Sequence, residues 1–323
     1  MAANDKNALH LATHSGWYRY ERRGENWEQT DRALTFWQMS CIQVDPNDAK
    51  QVYAGTEHSG MFVSKDGGKD WQRAEPNVPI LEMSAMLALP GKLLVGTRPA
   101  ALYTQKPGNS WQEIKGIRQG AFGGTFPPNP DLAPRTRALA TEKASGNRLY
   151  AGIEVGGILV SDDDGESWVK RNDGLTDPDL HQILSANKKP GLLVAACGEG
   201  VARSTDRGNK WEPVTPAGGR TYGNALAEDD QGNIYLGITQ DRPRTWLRAG
   251  RAKTAIFKSQ DGASWEFLTD QMSGGVMGMC PNADGNGVLV ATADGEVVNV
   301  DSNGKTRTLI SGVPCINALA LGA

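Results

Sequence analysis

One short motif, Ser-x-Asp-x-Gly-x-x-Trp, recurs along the chain, and its full or partial copies end in six of the nine tryptophans. Three copies are complete and a fourth is one residue shorter: residues 64–71, 161–168, 204–211 and 259–265. Copies ending at Trp27 and Trp111 lack the aspartate, and residues 301–304 lack the tryptophan. Successive motif tryptophans lie 44, 40, 57, 43 and 54 residues apart. This spacing is typical of four-stranded propeller blades, some of them carrying loop insertions.

The residue types of the motif suit a self-contained turn. An aspartate accepts hydrogen bonds from the backbone of its own turn, a glycine supplies a positive φ, and a serine joins the two ends. The tryptophan that follows is large enough to fill the space between neighbouring sheets. We therefore interpret Asp66, Asp163 and Asp206 as structural residues.

This motif is that of the Asp box, and the chain resembles the Asp-box (BNR-repeat) propellers over nearly its whole length. Relatives in that family include sialidases, oligoxyloglucan-cleaving glycosidases, sortilin-type receptors and photosystem II assembly factors. The resemblance implies a sialidase-like or glycosidase-like propeller whose boxes lie on the face away from the ligand. It does not by itself imply an activity, because the box holds the blade together.

Short apolar strands separated by turn residues precede each motif, as in residues 40–44, 51–56 and 61–64. This pattern predicts antiparallel sheet, and no amphipathic helix is evident. Residues 9–14 match a second strand and residues 315–321 match a first strand, so joining them completes a blade. We predict an all-β, seven-bladed propeller of four-stranded antiparallel blades. It forms a single domain over residues 1–323, closed when the C-terminal strand completes the N-terminal blade.

The composition limits the partners and the compartment. A net charge of −3 gives no basic footprint for nucleic acid. No apolar run is long enough to span a bilayer, and residues 1–7 lack the apolar core of a secretory leader. The four cysteines have no metal-ligand spacing and are interpreted as reduced, buried residues. We expect a cytoplasmic protein; export would require a leader preceding this chain.

In propellers of the resembled family, ligands bind at the axial mouth, formed by loops between second and third strands and by the starts of the innermost strands. Aligning the repeats places one residue per blade in the loops: His14, Glu57, Arg98, Glu154, Gly198, Thr239 and Ala293. The aligned starts of the innermost strands are Asn317, Ser40, Ser84, Arg137, Gln182, Asn224 and Met277. Charge and imidazole concentrate on four consecutive blades, which suits a small asymmetric ligand. A slip of one residue would exchange the faces of a strand.

The candidate site follows from this alignment. The acid–base candidates are Glu57, Glu154 and His181. Side chains that could clamp an anion, stack on a sugar or form hydrogen bonds are taken as substrate-binding: His14, Trp37, His58, Arg98, Phe126, Arg137, Gln182, Tyr222, Asn224 and Arg242. Insertions at residues 116–136 and 240–254 are expected to lie over the ligand face as lids.

Two classes of function remain open, because the one-sided mouth disfavours the third, a purely structural scaffold, and the cofactor is unknown. The favoured hypothesis is an enzyme of the hydrolase or lyase type, acting on a small anionic, sugar-acid-like substrate. Such an enzyme would act either without a metal or with a divalent metal held at the mouth by His14, His58 and His181. The other hypothesis is a non-catalytic propeller that binds a ligand or a protein partner, resembling the assembly factors. Sialidase chemistry is not expected, because only residues 97–99 faintly resemble the Arg-Ile-Pro motif and blade 7 offers no arginine at the mouth.

Overall fold

The computed structural model describes residues 6–74, 82–105, 111–122, 133–142, 147–240, 242–243, 246 and 252–322. These residues form seven four-stranded antiparallel sheets. The seven innermost strands contact one another in succession, and the last contacts the first, so the sheets form a closed ring. The predicted seven-bladed β-propeller is confirmed. The described part of the chain contains no helix with the length and apolar character needed to cross a membrane.

The strands are numbered in chain order, and each blade is given from its innermost to its outermost strand. Blade 1 contains β28 (Ile316–Leu321), β1 (Ala8–Thr13), β2 (Gly16–Arg23) and β3 (Asn26–Ala33). Blade 2 contains β4 (Met39–Asp45), β5 (Asp48–Thr56), β6 (Met61–Ser64) and β7 (Gln72–Arg73). Blade 3 contains β8 (Glu82–Leu89), β9 (Lys92–Arg98), β10 (Leu102–Gln105) and β11 (Trp111–Glu113). Blade 4 contains β12 (Thr136–Thr141), β13 (Leu149–Ile153), β14 (Gly157–Ser161) and β15 (Val169–Lys170). Blade 5 contains β16 (Leu180–Ser185), β17 (Leu193–Cys197), β18 (Gly200–Ser204) and β19 (Glu212–Pro213). Blade 6 contains β20 (Tyr222–Glu228), β21 (Ile234–Thr239), β22 (Ala255–Ser259) and β23 (Glu266–Thr269). Blade 7 contains β24 (Val276–Pro281), β25 (Gly287–Thr292), β26 (Val297–Asp301) and β27 (Thr306–Ile310).

The two ends of the chain meet in blade 1. Strand β28 pairs antiparallel with β1, from Leu9 opposite Leu321 to Thr13 opposite Ile316. The predicted closure, in which the C-terminal strand completes the N-terminal blade, is therefore confirmed. Closure pairs the edges that an open sheet would expose.

The motif turns have the predicted internal hydrogen bonds. Ser204 Oγ donates to Asp206 Oδ1 at 2.8 Å and accepts from the backbone N–H of Gly208 at 2.9 Å, and the N–H of Lys210 donates to Asp206 at 2.9 Å. Gly208 has a φ of +82°. Trp211 is buried among residues of blades 4 and 5. Each such turn joins a third to a fourth strand, at the opposite end of the blade from the loop between second and third strands.

Every innermost strand carries a β-bulge near its start. The pairing register skips one residue in each blade, and these residues are Asn317, Ser40, Ser84, Arg137, His181, Asn224 and Met277. The sequence alignment had placed Gln182 at this position in blade 5, and that assignment is wrong by one residue. Gln182 is paired with Ala196 in the ladder, and His181 is the extra residue. A bulge turns its extra residue out of the ladder, so His181, and not Gln182, is the bulged residue of blade 5, although both line the cavity.

The two insertions are described in part. The first contains a short helix α1 (Ile117–Phe122), where the sequence suggested only a loop. Its Ile117 is fully buried between blades 3 and 4, in a cluster with Leu94 and Leu159. Phe126 lies outside the described residues. In the second insertion, Pro243 and Trp246 line the cavity at the axis.

Candidate functional site

A cavity of about 600 Å³ lies at the propeller axis, on the face opposite the motif turns. The bulged residues of all seven innermost strands line it. Its walls differ in chemistry. Blades 4 to 6 contribute arginine, glutamate, histidine and tyrosine, whereas Met277 and Met279 of blade 7 contribute thioethers. His14, Glu57 and Glu82 add to this wall on blades 1 to 3, so charged or imidazole side chains occur on blades 1 to 5, whereas the sequence alignment had placed them on blades 1 to 4.

Most bulged side chains join one blade to the next. Asn317 donates to the carbonyl of Met39 at 2.7 Å, Ser40 to Met83 at 2.6 Å and Ser84 to Thr136 at 2.7 Å. The same bond runs from His181 to Gly223 and from Asn224 to Val276. In the described part of the chain, Arg137 and Met277 make no bond of this kind. Polar residues at these positions thus have a structural role first, and Arg137 is the charged residue that departs from it.

Arg137 instead binds across the cavity. One of its Nη atoms donates to Glu154 Oε1 at 2.7 Å, and the other donates to Asn224 Oδ1 at 2.9 Å. Arg135 also binds the Glu154 carboxylate, with its Nη2 at 3.2 Å from Oε1. Burial would raise the pKa of Glu154, but the guanidinium groups of Arg137 and Arg135 outweigh burial and hold that pKa below its usual value. Glu154 is therefore a carboxylate with two arginine partners.

His181 lies beneath this group with its side chain fully buried. Its Nδ1 is 2.6 Å from the carbonyl oxygen of Gly223, which can only accept, so Nδ1 carries a proton. Burial, followed by the charge of Arg137, lowers the pKa of His181, which favours the neutral ring. The lone pair then resides on Nε2, 3.6 Å from Asp179 Oδ2. The Tyr222 ring packs on the imidazole at a centroid distance of 4.4 Å.

A second pair of carboxylates lines the wall formed by blades 2 and 3. These belong to Glu57 and Glu82. Burial raises the pKa of Glu82, although Arg98 opposes the shift from 3.6 Å. The cavity therefore contains two glutamates whose pKa values are shifted in opposite directions, upward for Glu82 and downward for Glu154.

The structure brings eight of the predicted site residues to the cavity wall: Glu57, Glu154, His181, His14, Arg137, Gln182, Tyr222 and Asn224. Besides His181, two of these are engaged by the fold. Gln182 exchanges two hydrogen bonds with the backbone of Leu226, at 3.0 and 2.9 Å, and Asn224 joins blade 6 to blade 7.

Four other predicted residues are not among those that line the cavity. Trp37 packs against Phe62, with ring centroids 4.9 Å apart. The His58 side chain is 79% exposed. Arg98 faces Glu82 and binds the carbonyl of Ala133, while Arg242 lies 3.5 Å from Glu199 with 69% of its side chain exposed. Among the described residues, the group with metal-ligand atoms close together is Glu154, Asp179 and His181, which shares only His181 with the predicted histidine set.

Sequence reasoning missed Arg135 and Glu82 as cavity residues, and Trp246 as a wall residue. The period of two in a strand could have found the first two, because each stands two residues before a bulged residue and so shares its face. Trp246 belongs to an insertion, and its packing against Tyr222 at 5.7 Å had no counterpart in the repeat.

Comparison with solved structures supports the fold. The chain is similar to a GH74 xyloglucanase from Xanthomonas campestris, with 15% identity over 84% of this chain and 45% of that one and a TM-score of 0.63. It is similar to YCF48 bound to D1 peptide, with 15% identity over 93% and 84% and a TM-score of 0.59. A putative 6-phosphogluconolactonase from Bacteroides uniformis shows 12% identity over 97% and 98% and a TM-score of 0.69.

The neighbours thus include propellers whose names carry different functions. The chain spans 37% of an ancestral GH74 enzyme and 45% of the xyloglucanase, less than half of either. No protein-family model and no curated protein sequence matches the chain. At these identities the comparisons establish a β-propeller, and the function must be argued from the site.

Proposed function

We propose that the protein is an enzyme of the hydrolase or lyase type that processes a small, sugar-acid-like molecule in the axial cavity by acid–base chemistry. The observation that carries the proposal is the pair of cavity glutamates, Glu82 and Glu154, whose pKa values are shifted in opposite directions. Glu82 is suited to donate a proton and Glu154, bound by two arginines, is suited to act as a carboxylate. Environments that separate two carboxyl pKa values are how one site runs acid and base chemistry together.

The placement of charge favours a substrate with an anionic end. Arg135 and Arg137 stand together on blade 4, and each guanidinium has five N–H donors of which Glu154 and Asn224 use only some. The remaining donors suit a carboxylate or phosphate. Glu57 and Glu82 line the adjoining wall of blades 2 and 3, and the neutral, hydroxyl-bearing end of a sugar acid would be placed there.

The test uses a panel of aldonic and uronic acids, their lactones and their glycosides, with product detected by mass spectrometry. We expect turnover of at least one compound, with a bell-shaped pH profile. Glu154→Gln should remove the acidic limb and Glu82→Gln the alkaline limb, each lowering the rate by about 100-fold or more. Glu28→Gln, on the exposed outer strand of blade 1, is the control and should leave the rate unchanged. A protein that binds panel compounds in the cavity but converts none of them, or one that keeps its rate in both variants, would overturn the proposal.

A second candidate is a non-catalytic propeller that binds a protein partner. Its support is apolar exposure in loops on the cavity face. Phe36, in the connection from β3 to β4, is 93% exposed, and Val155, in the connection from β13 to β14, is 68% exposed. A partner that contacts the cavity face would cover both side chains. If this candidate is right, Phe36→Ser and Val155→Ser abolish partner binding, while Glu82→Gln has no effect on it.

We also propose kinship with the Asp-box propellers, supported by the repeated Ser–Asp–Gly turn geometry. A cytoplasmic location is proposed on the four free thiols.

A further inference from the structure

We infer that Glu154, Asp179 and His181 form a binding site for a single transition-metal dication, such as Zn²⁺ or Mn²⁺. The inference concerns metal binding as such and does not depend on the proposed enzymatic function. It differs from the histidine set suggested by the sequence, because it uses one imidazole and two carboxylates from neighbouring blades.

The buried imidazole is the first observation. The His181 side chain is fully buried, and Nδ1 is committed to Gly223. Among the described residues, Nε2 has no hydrogen-bond partner, and neither has the buried Oδ1 of Asp179. Leaving such atoms unpaired costs about 1–3 kcal/mol each, so a buried orphan next to another requires a reason.

The orientation of the ring gives that reason. Because Nδ1 donates to Gly223, Nε2 is the ring nitrogen that faces the Asp179 carboxylate, 3.6 Å away. A cation between Nε2 and that carboxylate would have a ligand atom on each side.

The distances fit such an ion. The ligand atoms of Glu154, Asp179 and His181 all lie within 4.8 Å of one another. Metal–ligand distances of 2.0–2.2 Å at tetrahedral angles place ligand atoms about 3.4 Å apart. The observed 3.6 Å from His181 to Asp179 is close to this value, and small side-chain rotations would bring Glu154 in.

The surroundings support the ligands as well. Each carboxylate oxygen has two lone pairs, so Glu154 can bind a metal while Arg137 and Arg135 hold it in place. The hydrogen bond of His181 to Gly223 fixes the ring in the way that outer hydrogen bonds orient metal-binding histidines. The backbone N–H of Asp179 binds Asp177 at 3.0 Å, which orders the preceding turn.

The donor set selects the metal. Imidazole favours transition metals, whereas Mg²⁺ and Ca²⁺ prefer oxygen ligands alone. Three protein ligands would leave at least one coordination position for water or substrate, facing the cavity.

The experiment titrates chelator-treated, full-length protein with Zn²⁺, Mn²⁺ and Ca²⁺ separately by calorimetry, with metal content checked by mass spectrometry. We expect one equivalent of Zn²⁺ or Mn²⁺ to bind, and Ca²⁺ to bind more weakly by about 10-fold or more. The key variant is His181→Asn, which keeps a donor for Gly223, as Asn224 and Asn317 do in their own blades, but removes Nε2. It and Asp179→Asn should weaken binding by about 10- to 100-fold or more.

Matched controls are His14→Asn and His58→Asn, which should bind the metal as the unmodified protein does. Circular dichroism and thermal melting verify that each variant is folded. The inference is overturned if neither Zn²⁺ nor Mn²⁺ binds saturably below about 1 mM, a range weaker than functional metal sites. It is equally overturned if binding survives in His181→Asn, or if His14→Asn and His58→Asn abolish it.

Discussion

His181 of blade 5 donates its Nδ1 proton to the carbonyl of Gly223 in blade 6, the hydrogen bond that Asn224 and Asn317 make from equivalent positions. The same bulge position thus accepts either an imidazole or an amide, because both place a nitrogen donor two bonds beyond Cβ. In blade 5 the imidazole adds a second nitrogen that the blade interface does not use.

This equivalence predicts the effect of two substitutions on stability. His181→Asn keeps the bond between blades, and we expect its free energy of unfolding to stay within about 1 kcal/mol of the original. His181→Ala leaves the Gly223 carbonyl unpaired and opens a void, at a cost of about 2–4 kcal/mol. Urea unfolding followed by tryptophan fluorescence measures both values. Equal losses in the two variants would mean that the ring's volume, and not its donor, stabilises the interface.

The pair Arg137–Glu154 should be strongly coupled. A double-mutant cycle with Arg137→Met and Glu154→Gln is expected to give an interaction energy of about 1–3 kcal/mol at pH 7. Because the pKa of Glu154 is lowered in the folded protein, its contribution is complete above the ordinary value of 4.5 and disappears as pH falls through the folded pKa. A parallel cycle between Arg137 and exposed Glu28 should be additive within about 0.5 kcal/mol. A coupling unchanged at acidic pH would contradict an ionic interaction.

Replacing the serine of a motif turn should lower the free energy of unfolding more than replacing the residue next to it. Ser204→Ala removes the acceptor for the buried N–H of Gly208 and the donor to Asp206, so we expect a loss of about 1–3 kcal/mol in unfolding free energy. The matched control is Thr205→Ala at an exposed position of the same turn, which should change stability by less than about 0.5 kcal/mol. Thermal denaturation of the two variants side by side decides between them.

Much of the fold could be predicted because its determinants are local. The turn motif closes on itself within eight residues, and its tryptophan spacing gives the blade repeat, so ring closure through residues 315–321 followed from counting strands. The site could be predicted only in part. A bulge adds one residue to a strand, and the apolar pattern does not show where it lies. The alignment therefore put Gln182, instead of His181, at the bulged position of blade 5. The clamp of Arg135 on Glu154 joins residues 19 apart, and only the folded sheet brings them together.

A buried histidine predicts acid sensitivity. Burial, followed by the charge of Arg19, lowers the pKa of His10 from 6.5 to about 3, against a smaller opposing effect of Asp31. In the unfolded chain His10 therefore binds a proton below pH 6.5, whereas in the folded protein it does so only at about pH 3. Stability is complete above pH 6.5 and should fall by about 1 kcal/mol per pH unit on acidification.

His10→Phe isolates this effect, because a phenyl ring can still pack on Trp17, whose ring is 5.7 Å from the imidazole. The stability difference between the variant and the original should change steadily in favour of the variant between pH 6 and pH 4. Parallel pH profiles for the two proteins would show that His10 does not resist protonation.

The bulges also separate strand pairing from the choice of side chains that line the cavity. A residue inside a β-ladder fixes the pairing of its neighbours, but each bulged residue stands opposite nothing. Replacing it therefore leaves the ladder pairing unchanged, although five of the seven bulged side chains also form a hydrogen bond to the next blade. Met277 makes no such bond among the described residues, so a new reactive side chain at this position would remove no hydrogen bond between blades and would change only the packing against Tyr222 and Trp246.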